Sequence, residues 1–325
     1  MSLRGVAGIA ALVAILVPVL LGAASAEAKK KGKTPKSPPV TVVSAAQATS
    51  GDNQQVTATA TCPSGLIAVG GGFQSPPVLD AGAPTDANLV YESRRAGDSA
   101  WQVSAVREDE GASGPDLPLT AVVDCRSTKL GGKKHPAKKA VAAMNKKKKK
   151  KLSITEATAT AVAVGADEAQ AQASATCPGK TQALGGGFST SPTPVSTSPG
   201  SAFPYVWSNH RTSPTTGLAA ISNVGRVERT LTSYAYCASG LKIAETTANV
   251  ALPASGTTVV SATSTTPPCP KGKALLGGGF DNSPATKSTA VALLTGFSPA
   301  NGSWKLDTLN VSVAPGTISS IGYCA

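Results

Sequence analysis

Residues 62–73 read CPSGLIAVGGGF, a stretch that starts as an apolar strand and then sets three glycines where the strand should continue. The same stretch recurs as CPGKTQALGGGF at 177–188 and CPKGKALLGGGF at 269–280, each time with eight positions from the cysteine to the first glycine. Glycine weakens a strand interior, so a run of three is either a backbone device or a ligand cradle.

As a cradle, Gly70, Gly71 and Gly72, Gly185, Gly186 and Gly187, and Gly277, Gly278 and Gly279 would line up backbone N–H groups for an anion. A phosphate loop needs a helix after its glycines and a Lys-Ser or Lys-Thr to close it. Here the phenylalanine is followed by QSPP, STSPTP or DNSP, which stop a helix. The structural reading is a bulged or bent strand on which another segment packs against bare backbone, with the phenylalanine in the core. Trp101 and Trp304 are placed to lie over those glycines, and Leu218 holds the matching place in the second copy.

Each copy carries two cysteines, one before the glycines and one after a late apolar or aromatic strand (TAVVDC, SYAYC, SIGYC). Six cysteines allow 15 pairings, and two per copy favour Cys62–Cys125, Cys177–Cys237 and Cys269–Cys324. Each bridge would stabilise by about 4 kcal/mol through the unfolded chain, and such bridges belong to an oxidising compartment.

Around the motif, short alternating segments such as QVTATATC (55–62) and WQVSAVR (101–107) are separated by clusters such as SGDN and EDEGASGPD, with no helical pattern. The reading is all-β: three tandem antiparallel sandwich-like domains, or partly open barrels, at 39–127, 152–240 and 241–325. The lysine-rich segment 128–151 then reads as a spacer, and the units as beads on a string rather than a threefold assembly.

The net charge of +12 is unevenly spread. Sixteen of the 30 basic residues lie in two strings, the lysines at 29–36 and those at 129–151; with Arg4 and Glu27 set aside, 13 basic and 17 acidic residues remain, a net of −4. Lys146, Lys147, Lys148, Lys149, Lys150 and Lys151 are consecutive like charges that must stay solvated or meet a polyanion. Residues 1–26, with Arg4, an uncharged run and Ala24-Ser25-Ala26, read as a signal peptide, and 27–38 as a Lys/Pro-rich segment; an uncleaved anchor is the alternative.

The pattern C-P-x6-G-G-G-F with Ser-Pro soon after and a closing aromatic-x-Cys resembles a family of uncharacterised repeat domains in exported bacterial proteins. The first copy departs by closing with Val-Asp-Cys, and the second by lacking the late tryptophan. The resemblance implies an exported β protein and adds nothing about a ligand.

No catalytic or metal-binding constellation and no cofactor are read from the chain. His135 falls in the lysine string and His210 in a turn, WSNHR, without counterparts. The functional reading is an exported, non-enzymatic envelope protein, structural or adhesive, whose lysine strings meet anionic wall polymers or lipid head groups. The alternatives are a carbohydrate- or small-ligand-binding module on the loops, and a non-specific polyanion binder that takes nucleic acid through its lysines.

Overall fold

The computed structural model describes residues 41–49, 54–80, 83–109, 117–128, 152–163, 169–193, 204–223, 227–256, 259–283 and 292–325. The proposed signal peptide, the 27–38 segment and the lysine run 146–151 lie outside these residues.

Every described element is a strand. The first unit contributes β1 (Thr41–Thr49), β2 (Gln55–Thr61), β3 (Leu66–Gln74), the short β4 (Val78–Asp80), β5 (Ala83–Arg95), β6 (Ala100–Asp109) and β7 (Leu117–Ser127). The second contributes β8 (Ile154–Ala163), β9 (Ala169–Thr176), β10 (Gln182–Ser191), β11 (Pro204–Ser213), β12 (Thr216–Asn223) and β13 (Arg229–Ala238). The third has β14 (Ala244–Leu252), β15 (Val260–Thr265), β16 (Leu275–Ser283), β17 (Ala292–Ala300), β18 (Ser303–Asn310) and β19 (Gly316–Cys324).

Alternation explains the simplest of these. In β2 the residues Val56, Ala58 and Ala60 are buried and the intervening glutamine and threonines are exposed, the period-two signature of a half-buried strand. Each Cys-Pro ends that alternation in a turn, closed by Leu66 N–H to Pro63 O, Thr181 N–H to Pro178 O and Lys273 N–H to Pro270 O. The three cysteine pairs form as expected, each joining the turn to the last strand of its own unit.

The sheets are antiparallel and none closes into a barrel. Their strand orders are β1-β7-β3-β17-β18-β15, β2-β6-β5-β10-β13-β8 (with β4 on β5) and β14-β19-β16-β11-β12-β9. Every sheet therefore takes three path strands from one unit and three from another. The joints are β5 with β10 (first seam), β11 with β16 (second) and β17 with β3 (third). Unit one meets two, two meets three, and three meets one.

This corrects the beads-on-a-string expectation. The units remain recognisable, each with its own bridge and its two half-sheets face to face, but they share sheets and a core. One apolar cluster includes Phe73, Phe188 and Phe280 from the three motifs together with Trp101 and Trp304. The segment 128–151 does not hold units apart either, since Leu152 N–H donates to Thr128 O at 2.8 Å. Its length misled because contour length only limits how far ends can separate.

Candidate functional site: the glycine seams and the lysine roots

All three motif strands bulge beside their glycines: the register shifts between Ala68 and Gly70, Ala183 and Gly186, and Leu275 and Gly277. Beyond the bulge, each glycine position meets a different neighbour. The first glycines converge from three units. A Cβ on Gly70 would sit 2.9 Å from Gly277 Cα and from Leu276 O, one on Gly277 2.6 Å from Leu184 O, and one on Gly185 3.4 Å from Gly278 O.

The second glycines lie beneath an aromatic of their own unit. A methyl on Gly71 would collide with the Trp101 ring, and one on Gly278 with the Trp304 ring. The second unit differs from expectation. Trp101 pairs with Arg95 on β5–β6, and Gly217 is the residue paired with Arg211 on β11–β12, so Gly217 rather than Leu218 holds the tryptophan's place. There Asn209 covers Gly186, its Oδ1 2.6 Å from a would-be Cβ.

The third glycines make the seams. A Cβ on Gly187 would lie 2.7 Å from Ser93 O, one on Gly279 2.9 Å from Asn209 O, and one on Gly72 would overlap Phe297 O. In each case backbone of the neighbouring unit is in the way, joined at Gly187 and Gly279 by the hydroxyl of the unit's own Tyr236 or Tyr323 at 2.6 Å. The same geometry leaves the motif amides in sheet ladders rather than turned toward a common anion.

A second layer locks the first two seams. Tyr236 Oη accepts the Arg95 backbone N–H at 2.7 Å, and Tyr323 Oη accepts that of Arg211 at 2.7 Å. Both phenols are buried, which raises their pKa well above the ordinary tyrosine value and keeps them neutral. The same arginines turn their side chains back into their own unit: Arg95 Nε donates to Ala68 O at 3.0 Å, Arg211 Nη1 to Ala183 O at 3.2 Å.

The third seam is built differently. Phe73 pairs with Phe297, as Phe188 does with Ser93 and Phe280 with Asn209, so two residues on Pro299 stands where the others have Arg95 and Arg211. Proline has no N–H to offer. Opposite, Asp124 holds the place of Tyr236 and Tyr323, immediately before the closing cysteine. Leu275 O, the counterpart of Ala68 O and Ala183 O, is reached instead by Arg126 Nη2 from the first unit. The Val-Asp-Cys departure noted in the sequence is thus half of a paired change across one seam.

Other chemistry is sparse. His210 lies in β11 rather than a turn, with Ser208 Oγ 2.8 Å from its Nδ1 and Asp281 the register partner of Ser208. Ser208 is fully buried, so this trio presents no reachable nucleophile. Asn88–Val90 in the middle of β5 and Pro204–Val206 and Ala292–Leu294 at the starts of β11 and β17 surround a depression of about 20 Å³, room for a water rather than an organic ligand. Among the described residues no group of His, Cys, Asp and Glu is arranged to hold a metal.

The described residues that border the two lysine strings in sequence lie on neighbouring strands. Thr41 opens β1 opposite Cys125 of β7, and Lys36 precedes it by five residues. Three residues beyond Cys125 comes Thr128, where the chain leaves for its second string and to which it returns at Leu152. No family model matches the chain, and no curated protein matches it. The three disulfides are those of an oxidising, extracellular or periplasmic setting.

Proposed function

We propose that the protein is exported and works as a non-enzymatic scaffold, held to anionic polymers or lipid head groups of the cell envelope by its lysine strings. The observation that carries this reading is the 2.8 Å hydrogen bond between Leu152 and Thr128. A segment whose ends meet spans nothing, so its 11 lysines are not needed to bridge two bodies. A further five lysines precede Thr41 in sequence, and the charge outside the two strings, Arg4 and Glu27 is −4. Local concentration of like charge favours a multivalent polyanion over a small ligand.

The test replaces 129–151 by Asn-Gly and compares retention on anionic vesicles and on a teichoic-type polymer over a salt gradient. Wild type elutes progressively earlier with added salt, as screening requires, and the variant is released at much lower salt. Equal retention that ignores salt would move the attachment to the β body and favour a loop-borne carbohydrate site. Retention confined to DNA would favour the nucleic-acid alternative.

A further inference from the structure

The third seam joins the two units that are furthest apart along the chain, and it lacks both hydrogen-bonded Tyr–Arg locks. Asp124, on β7 opposite Gly70 of the seam strand β3, is fully buried, and neither carboxylate oxygen has a hydrogen-bond partner. Arg126 Nε lies 3.8 Å from Oδ1, too far for a hydrogen bond, and its Nη2 is committed to Leu275 O. An ionised carboxylate in such a place is destabilising, because it has given up water without gaining donors.

The surroundings supply no other compensation. The strands flanking Asp124 (β1, β2 and β3) and β17 across the seam contain no titratable residue. Of the charged residues on β5 and β6, Arg95 is engaged with Ala68 and Asp98, and Arg94 with Glu92. Asp86 and Asp109 pair at the opposite end of β5–β6, next to Glu108, and Arg107 is fully buried with contacts of its own.

We propose that the ring of units is made to part at one place, the β3–β17 seam, and that deprotonation of Asp124 is what loosens it. Burial raises the Asp124 carboxyl to about 7, with Arg126 opposing the shift. A group raised in the folded state stabilises fully below its unfolded value, near 3.8, and that stabilisation is lost as pH rises through about 7. At the first seam the signs are mixed: burial raises the carboxyl of Glu156 on β8, with Arg94 and Arg95 opposing the shift, while a second carboxyl there is held down. Glu92, beside the first seam, is partly buried yet held below its usual range by Ser104, Arg94 and Gln102, so it favours closure throughout the neutral range.

Hydrogen exchange on the full-length protein at pH 5 and pH 8.5, corrected for intrinsic rates, tests this. Amides of Phe73–Ser75 and Phe297 lose roughly tenfold or more of their protection at the higher pH, while Phe188–Thr190 and Phe280–Asn282 keep theirs. Asp124→Asn abolishes the difference. Equal loss at all three seams, or a response that survives Asp124→Asn, overturns the proposal. Should that variant not fold, carboxyl carbon NMR of wild type decides: titration of Asp124 near neutrality supports the latch, and titration in the ordinary aspartate range below pH 5 overturns it.

Discussion

Tyr236 of the second unit and Arg95 of the first meet across a seam as acceptor and backbone donor, 2.7 Å apart, with the third glycine Gly187 beneath the phenol oxygen. The residues are 141 positions apart in sequence. Tyr236→Phe leaves the Arg95 N–H buried without a partner, a loss of about 1–3 kcal/mol. Tyr323→Phe does the same to Arg211. Denaturant titration of both variants checks this, and a change under about 0.5 kcal/mol would mean that the hydroxyls are incidental.

Gly72→Ala is expected to be more damaging than its size suggests. The new methyl overlaps Phe297 O, a backbone atom that cannot swing aside. Gly256→Ala is the control, since nothing lies within 4 Å of a Cβ there. The seam variant should lose several kcal/mol and the control stay within about 0.5 kcal/mol. Similar melting curves for the two would remove the steric account of the motif.

Reduction should act on all units together. Each bridge closes 55–63 residues. Replacing Cys177 and Cys237 by alanine is expected to lower stability by up to about 4 kcal/mol on the chain-entropy model. Because β10 and β11 belong to sheets with the other two units, the whole ring should melt earlier, not the second unit alone.

Acid should weaken the first seam through Glu92. Its carboxyl is held below 4.5 in the folded protein, so its contribution is present above that value and is lost as pH falls through the depressed folded one. Glu92→Gln should flatten the acid limb of the stability profile. An unchanged limb would place acid sensitivity elsewhere.

Much of this was legible in the chain. The alternation of QVTATATC marks β2, the recurring cysteines mark the bridges, and three glycines followed by helix-stopping residues mark a close backbone approach. β14 is harder to read, because the inward positions of AETTANVAL begin with Ala244, Thr246 and Ala248 and show little apolar contrast before Val250 and Leu252. Ring closure was hidden for a different reason. Seam contacts such as Gly72 with Phe297 join residues far apart in sequence, and periodicity reports only which face of a strand is buried, not against what. Pro299 and Asp124 look like unrelated departures until the register sets them at one seam.

Scanning calorimetry of the oxidised full-length protein tests the shared-sheet ring most directly. A ring of units that share every sheet should unfold in one transition near neutral pH, with calorimetric and van't Hoff enthalpies in agreement, and Gly72→Ala should move that whole transition downward. Three separable transitions, with Gly72→Ala shifting only one of them, would contradict the ring and restore independent beads.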